Sequence, residues 1–205
     1  MSIDQSHVML MDKVMATFSY GMVKAQVVMV PGRRFVWYTH AARAIKHPIY
    51  GKISTSGREY TFLYNPANCK EIEGSELCVY ESDQIEDVPS ASWDLFAWDA
   101  ETELPEVFKA NLFSCKWQTE SASYLNECAE VVARVEKKGL TVQEGNYRRD
   151  VPIILAYDGA TVNSDCGSIL VYRAGSKLKV AGIHVAGAKG KGYACLLPPL
   201  RPKAQ

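Results

Sequence analysis

The chain has 205 residues, of which 47% are hydrophobic and 22% are charged. This composition is typical of a globular protein that buries one large core or two smaller ones. The 23 basic and 23 acidic residues give a net charge of zero, which excludes a general electrostatic attraction to nucleic acid or anionic membranes. No segment approaches the ~20 apolar residues of a membrane span, and residues 1–18 lack the apolar region of a signal peptide. We therefore expect a cytosolic protein.

Six cysteines lie at positions 69, 78, 115, 128, 166 and 195, and no two of them form a Cys-x-x-Cys pair. Zinc sites usually draw on such closely spaced ligands, and the spacing gives no reason to expect a disulfide framework in a chain of this length. We expect mostly buried free thiols in a reducing compartment, and neither a metal nor another cofactor.

The first segment, residues 1–20, predicts a short helix, because its apolar residues between positions 4 and 18 recur at offsets of three and four. Gly21 then interrupts the pattern. From this point, short runs rich in Val, Tyr and Phe alternate with turn signals such as Pro31-Gly32 and Asn65-Pro66, which predicts strands. These strands are expected at Val23–Val30, Phe35–Tyr38, Glu59–Tyr64 and Leu77–Tyr80.

A polar, acidic stretch at residues 81–93 is expected to link two β domains, residues 21–92 and 93–205. Many short strands at this spacing predict an all-β fold of sandwich or barrel halves. Residues 125–135 fit a helical stripe as well as a long strand; we favour the strand because the rest of that half is β. The other strands of the second half are expected near residues 106–119, 151–157, 168–173, 178–183 and 193–197.

Cys166 is the candidate nucleophile, because Cys166-Gly167 leads into an apolar run. A free cysteine is more often a small buried hydrophobe, so the assignment depends on partners. His40 ends an apolar strand far upstream, and His184 lies within Gly-Ile-His-Val-Ala-Gly at residues 182–187. A nucleophile and a base far apart in sequence fit a cleft shared by two halves. These residues predict a cysteine protease; the alternatives are an ordinary strand-end histidine at 40 and a core histidine at 184.

The order and spacing of these motifs resemble the picornain family, the main polyprotein-processing proteases of picornaviruses and picorna-like viruses. The likeness is most specific over residues 157–194, where Tyr-Asp-Gly-Ala-Thr at 157–161 precedes Cys166-Gly167, the 182–187 motif and Gly192-Tyr193-Ala194. The resemblance implies a chymotrypsin-like fold of two six-stranded antiparallel barrels after a short N-terminal helix. It also implies a cysteine in place of the serine nucleophile, and activity in the host cell cytoplasm.

The resemblance implies that His40 is the general base and Cys166 the nucleophile. A thiol attacks as the thiolate, so an imidazole must take its proton or pair with it. The third residue, which orients the base, is an Asp or Glu at the head of a strand in this family, and Glu76 fits this position best. The same acidic stretch contains three competitors, Glu71, Glu73 and Asp83.

The resemblance also implies an oxyanion hole of backbone N–H groups from Ser164, Asp165 and Cys166. The family usually has glycine two residues before the nucleophile, whereas this chain has Ser164. Thr161 and His184 are implied to hydrogen-bond the side-chain amide of glutamine at P1, the residue before the scissile bond, with glutamate as the second P1 residue. The other substrate-binding residues are expected to be Val185, Ala186, Gly187 and Tyr193.

The expected partners are polyprotein or peptide substrates with glutamine at P1, and Gln205 is the residue such a protease would leave on releasing itself. Family members often carry a basic RNA-binding segment after the triad acid. The corresponding residues 84–88 read Gln-Ile-Glu-Asp-Val, which argues against RNA binding by this face. The alternative functions are a protease-like RNA- or lipid-binding module of a viral replication complex, and a cellular chymotrypsin-like protease. The oligomeric state stays open.

Overall fold

The computed structural model describes residues 11–55, 57–118, 120, 123–159, 166–188 and 190–200. Strands dominate these residues, and none of their helices is long and apolar enough to cross a membrane. Helical structure in them is confined to residues 11–14, α1 (Thr39–Ala44), α2 (Ala100–Glu103) and two 3-10 turns at Pro66–Asn68 and Ser90–Leu95.

The first half of the chain forms one antiparallel sheet. The strands run across it in the order β5-β4-β1-β2-β3-β7-β6, and each neighbouring pair is antiparallel. The seven strands are β1 (Met15–Tyr20), β2 (Val23–Val30), β3 (Arg34–Tyr38), β4 (Ile49–Thr55), β5 (Arg58–Tyr64), β6 (Cys69–Glu71) and β7 (Leu77–Glu81).

The second half forms a closed six-stranded barrel with a separate hairpin. The barrel order is β12-β15-β14-β13-β8-β9, and β10 pairs with β11 outside it. The strands are β8 (Val107–Gln118), β9 (Ser123–Glu136), β10 (Leu140–Glu144), β11 (Tyr147–Val151), β12 (Ile154–Asp158), β13 (Ile169–Ala174), β14 (Lys177–Ala188) and β15 (Lys191–Leu196).

A shared hydrophobic core joins the two halves. Successive side chains of a strand point to opposite faces, and β2 uses both: Val27 and Met29 enter the aromatic core of the first half, whereas Val28 and Val30 enter the shared core. The shared core also takes side chains from β7, from the β10–β11 hairpin and from the barrel, among them Leu77, Val142, Val151, Ile169 and Val185. Burial of these apolar side chains stabilises the packing of the two halves against each other.

Most of the predicted strands are confirmed. The four strands of the first half are β2, β3, β5 and β7, each within one residue of its expected bounds, and the ambiguous segment at 125–135 lies in β9, paired with β8 over twelve residues. The fold is mostly β, as expected. The boundaries of the two predicted domains, at residues 21–92 and 93–205, stay a prediction.

Two expectations are wrong. The N-terminal helix, expected over residues 4–18 of a helical segment 1–20, does not extend past residue 14, because Met15–Tyr20 is β1 and pairs with β2 and β4. Phe18 fits strand as well as helix spacing, and its ring is fully buried in the aromatic core. The first half has seven strands rather than the six expected; β1, β4 and the short β6 were not foreseen. Residues 4–10 lie outside the described residues.

Candidate active site

The ends of β3 and β7 bring His40 and Glu76 together. Tyr38, the last residue of β3, pairs with Leu77, the first residue of β7, so the residues just beyond them meet. Thr39 N donates to the Glu76 backbone carbonyl at 2.7 Å. The carboxylate oxygen Oε1 of Glu76 accepts from His40 N at 3.0 Å and lies 2.9 Å from His40 Nδ1. Glu76 therefore holds His40 both through its backbone N–H and through its imidazole ring.

The His40–Glu76 contact also sets which nitrogen of the imidazole faces away. The Glu76 side chain is fully buried and that of His40 is 15% exposed. An ionised carboxylate can only accept hydrogen bonds, so His40 donates through Nδ1. In the neutral ring, Nε2 is then the nitrogen that accepts a proton.

The second carboxylate oxygen of Glu76 is held by the hairpin of the other half. Tyr147 in β11 donates its hydroxyl to Glu76 Oε2 at 2.5 Å. The Glu76 backbone N–H points at Cys195 Sγ at 3.4 Å, and burial raises the pKa of that thiol to about 11, which keeps it neutral. A buried carboxylate needs donors such as the Tyr147 hydroxyl, because an unsatisfied charge inside a protein is costly.

The three competing acids lie elsewhere. Arg43 makes a bidentate hydrogen bond to Glu71, with Nε–Oε2 at 2.6 Å and Nη2–Oε1 at 2.8 Å. Arg149 Nη1 adds a third hydrogen bond to Glu71 at 3.0 Å. The hydrogen bonds from Arg43 are the largest cause that lowers the pKa of Glu71 to about 2; burial opposes them, and the hydrogen bond from Arg149 lowers the pKa further. Glu73 and Asp83 are exposed. Of the four acids, Glu76 is the one that contacts His40 in the described part of the chain.

Cys166 lies beside β14 of the barrel. Its side chain is half-buried, and its Sγ lies 3.4 Å from the carbonyl oxygen of Val185. Backbone hydrogen bonds of 2.8 Å run from Gly167 N to His184 O and from His184 N to Ser168 O. The residues after the candidate nucleophile are therefore paired with the strand that carries the predicted pocket histidine.

A buried polar network extends from this point to both halves. Gln26 Nε2 in β2 donates to Ser168 Oγ at 3.2 Å, and Ser168 Oγ donates to Ser114 Oγ in β8 at 2.9 Å. All three side chains are nearly inaccessible. Neither Gln26 nor Ser114 was expected from the sequence to have a role. The signal for Gln26 was present: it is a polar residue between Ala25 and the apolar run Val27–Val30 of β2.

His184 is fully buried, and its ring is set by Tyr157. The Tyr157 hydroxyl contacts His184 Nδ1. Gly192 makes room for this tyrosine, since a Cβ at Gly192 would lie 2.3 Å from a Tyr157 ring carbon. When Tyr157 donates to Nδ1, the neutral imidazole carries its proton on Nε2 and is a hydrogen-bond donor there.

The other predicted substrate-binding residues are divided between described and undescribed parts of the chain. Val185 is buried, Ala186 and Tyr193 are partly buried and paired across β14 and β15, and Gly187 is exposed. Thr161, Ser164 and Asp165, like Gln205, lie outside the described residues. In the described part of the chain, no group of three His, Cys, Asp or Glu side chains is arranged to hold a metal ion.

Two viral polyproteins are similar to this chain over its whole length, although no family model matches it. The RNA1 polyprotein of Red clover mottle virus is 46% identical over 206 residues, and that of Cowpea mosaic virus (strain SB) is 44% identical over 206 residues. Each alignment covers 100% of this chain and 11% of the polyprotein. The chain thus spans about a ninth of the length of these relatives.

A solved viral protein has the same fold. The 3C protein of HRV-C, solved with rupintrivir, matches 96% of this chain and 98% of its own length, with a TM-score of 0.60 and 16% sequence identity. This likeness shows the chymotrypsin-like fold of viral proteases. Together with the match to the RNA1 polyproteins, it confirms the resemblance that the motifs indicated: the chain is similar to the picornain-like, chymotrypsin-fold proteases of viral polyproteins.

Proposed function

We propose that this protease is a cysteine endopeptidase that cleaves a viral polyprotein after glutamine at P1, with glutamate as a poorer substrate. Cys166 is the nucleophile, His40 the general base and Glu76 the residue that orients the base. The observation that carries the proposal is the contact between His40 Nδ1 and the buried Glu76 carboxylate at 2.9 Å. A histidine held in this way presents one defined nitrogen for proton transfer.

In the acylation step, His40 Nε2 takes the proton of the Cys166 thiol. The thiolate sulfur then attacks the carbonyl carbon of the scissile peptide bond, forming a C–S bond while the carbonyl oxygen becomes negative. The buried Glu76 carboxylate stabilises the imidazolium that forms. As the C–N bond breaks, His40 returns the proton to the leaving amine, and the peptide remains attached to Cys166 as a thioester.

In the deacylation step, His40 Nε2 accepts a proton from water, and the resulting hydroxide attacks the thioester carbonyl. Collapse of the second tetrahedral intermediate breaks the C–S bond and releases the new carboxyl terminus. His40 returns its proton to the Cys166 sulfur, which restores the thiol and the neutral imidazole. In both steps the negative oxygen is stabilised by backbone N–H groups of Ser164, Asp165 and Cys166, which we propose as the oxyanion hole.

Glutamine specificity comes from donors that meet the P1 side-chain amide oxygen. His184 and Thr161 supply these donors, and Val185, Ala186, Gly187 and Tyr193 complete the pocket and the adjoining strand. The buried position of His184 and its contact with Tyr157 support this role, because they favour a neutral ring with a proton on Nε2. A pocket of this kind rejects P1 residues without the amide, since its polar groups would be left unpaired.

The substrates we propose are junctions of the polyprotein from which the protease derives, cut inside the infected host cell. The relatives are RNA1 polyproteins, of which this chain matches 11%. A protease segment within a long polyprotein has its substrates in the same chain, which supports self-processing.

The test is cleavage of a peptide library with varied P1 residues, read by mass spectrometry. The wild-type chain should cut after glutamine, and Cys166→Ala and His40→Ala should each lower kcat/KM by at least about 10³-fold while leaving thermal unfolding unchanged. Cys166→Ser should keep a trace of activity at most, because a hydroxyl is harder to deprotonate than a thiol. Near-full turnover by Cys166→Ala would overturn the assignment of the nucleophile.

The same preparation distinguishes the alternative of an RNA- or lipid-binding module. The acidic stretch 84–88 is engaged within the protein: Glu86 accepts from Arg58 at 2.8 Å, and Asp87 accepts from Gly32 N at 2.9 Å. We therefore expect no salt-dependent binding of single-stranded RNA or of anionic vesicles by the wild-type chain. Tight binding without any peptide cleavage would favour the alternative.

A further inference from the structure

The β10–β11 hairpin reaches from the second half onto the first. It stands outside the barrel, and Val142 and Val151 anchor its two strands in the shared core. Gly139 starts it in a tight turn, where a Cβ would lie 2.4 Å from the carbonyl oxygen of Val151. The hairpin is therefore placed by packing at its base, and its outer residues are held against the first half by polar contacts.

Three polar contacts tie β11 to the residues around Glu76. Arg149 donates to Glu71 Oε1 at 3.0 Å and to the Ile72 carbonyl at 3.1 Å. The guanidinium of Arg43 lies 5.1 Å from the centre of the Tyr147 ring. These contacts place the Tyr147 hydroxyl at Glu76 Oε2, 2.5 Å away.

We propose that Tyr147 is a positioning residue of the active site, which holds the Glu76 carboxylate in the orientation that His40 requires. The inference rests on the proposed function of His40 and Glu76, and adds a member from the opposite half of the protein. Glu76 uses Oε1 for the backbone N–H and the ring Nδ1 of His40, and Oε2 for Tyr147. Within the described residues, Tyr147 supplies the side-chain donor at Oε2.

The physical reason is the cost of an unsatisfied buried carboxylate oxygen. Glu76 is fully buried, so Oε2 has no access to bulk water when the tyrosine hydroxyl is absent. A carboxylate with one oxygen that accepts no hydrogen bond is stabilised by rotating toward other donors. This rotation weakens its hydrogen bonds to His40. The hydroxyl stays protonated at neutral pH, because burial and then the bond to Glu76 raise the pKa of Tyr147.

The hydrogen bond from Tyr147 also affects how easily the Glu76 carboxylate is protonated. The ionisable groups around Glu76 are His40 from α1, Tyr147 from β11 and the neutral Cys195 thiol from β15, with Arg43 and Arg149 beyond them on Glu71. A donor to the carboxylate favours its charged form. Loss of the donor makes protonation of the His40–Glu76 pair easier, so activity should fall at a higher pH on the acid side.

The test is Tyr147→Phe, which keeps the ring and its packing and removes one hydroxyl. We expect kcat to fall on the order of tenfold with KM little changed, and the acid limb of the kcat/KM profile to move to higher pH. In a Glu76→Gln background the same substitution should have little further effect, because the two residues act as one unit. The matched control is Tyr60→Phe, which removes a hydroxyl that accepts from Glu86 N at 3.2 Å on the opposite edge of the sheet; it should leave kcat unchanged.

A second measurement keeps this inference separate from the proposed function. The NMR signal of the His40 Nδ1 proton, assigned by its loss in His40→Gln, reports the hydrogen bond to Glu76 without any substrate. Tyr147→Phe should shift this signal, and Tyr60→Phe should not. If the wild-type chain cleaves no peptide, the proposed function fails, while a shifted signal still supports the coupling. An unchanged signal with unchanged kcat in Tyr147→Phe, or fully additive losses with Glu76→Gln, would overturn the inference.

Discussion

Gly167 lies directly against the backbone of Gln26: a Cβ built on Gly167 would be 2.3 Å from the Gln26 carbonyl oxygen. Gly167 follows the candidate nucleophile Cys166, and Gln26 lies in β2 of the other half. The backbone at Gly167 has φ of +91°, a conformation that residues with a side chain rarely adopt. The position of the nucleophile thus depends on close contact between the two halves.

The first prediction is that Gly167→Ala strongly impairs catalysis. The backbone strain alone costs about 1–3 kcal/mol, and the methyl group must also displace the Gln26 carbonyl or the Cys166 loop. We expect a lower free energy of unfolding in urea and a loss of kcat/KM larger than the fraction of unfolded protein explains.

The matched control for this prediction is Gly175→Ala. Gly175 also has a positive φ, +67°, but a Cβ there meets nothing within 4 Å. This variant should show the strain without the loss of activity. Equal activities in the two variants would contradict the importance of the contact between Gly167 and Gln26.

The second prediction concerns the Gln26–Ser168–Ser114 network. Ser168→Ala leaves the buried Gln26 amide and the Ser114 hydroxyl each short of one partner, which should lower the free energy of unfolding by about 1–3 kcal/mol. The double variant with Ser168→Ala and Ser114→Ala should lose less unfolding free energy than the sum of the two single variants. The second substitution removes a hydroxyl that the first has already left without its partner. Urea unfolding of the two single variants and the double variant measures this. Strict additivity would mean that the hydroxyls do not act as a network.

The strands that could be predicted are those whose local pattern and tertiary role agree. In Val23–Val30 and Leu77–Glu81, β-branched and aromatic residues are bounded by turns, and both strands pack on both faces. At Met15–Tyr20 the apolar spacing fits helix and strand alike; pairing with β2 and β4 decides for the strand. Local periodicity does not contain that information.

The parts of the site that sequence reasoning missed are long-range contacts between polar residues. Tyr147 lies 71 residues from Glu76, and Gln26 lies 142 residues from Ser168. β11, the strand that carries Tyr147, reads as charged at Arg148, Arg149 and Asp150, so it has no apolar run that would mark it as a strand. What stabilises it outside its base is the pairing of Arg149 with Glu71, which appears only after the halves have come together.

The third prediction concerns acid stability. The pKa of Glu71 is lowered from its ordinary value of 4.5 to about 2, first by the hydrogen bonds from Arg43. A depressed pKa stabilises the fold above the unfolded-state value, and this contribution is lost as the pH falls from about 4.5 toward about 2. The free energy of unfolding should therefore fall over this range, and Glu71→Gln should flatten the dependence. Because the side chain is about a third exposed, 1 M salt should weaken the effect.

The control for the acid-stability experiment is Glu59→Gln. Glu59 also has a lowered pKa, from its bond to Lys52, but both side chains are largely exposed. Its replacement should change the pH dependence far less than that of Glu71. The same slope in wild type and Glu71→Gln would rule out Glu71 as the source of the acid sensitivity.

The last prediction is that Tyr157 and Gly192 control P1 specificity through His184. Tyr157→Phe removes the hydroxyl at His184 Nδ1, so the buried imidazole loses the group that selects its tautomer and orientation. We expect kcat/KM for glutamine substrates to fall by roughly 10- to 100-fold, with a smaller fall for substrates lacking the P1 amide. The rate of Cys166 alkylation by iodoacetamide should be unchanged, because the change affects the pocket and not the nucleophile.

Gly192→Ala should act in the same direction, since its methyl group would meet the Tyr157 ring at 2.3 Å. Gly190→Ala, where a Cβ meets nothing within 4 Å, is the control on the same hairpin. An undiminished preference for glutamine in Tyr157→Phe would show that His184 does not depend on Tyr157, and the same result in His184→Ala would remove His184 from the proposed pocket.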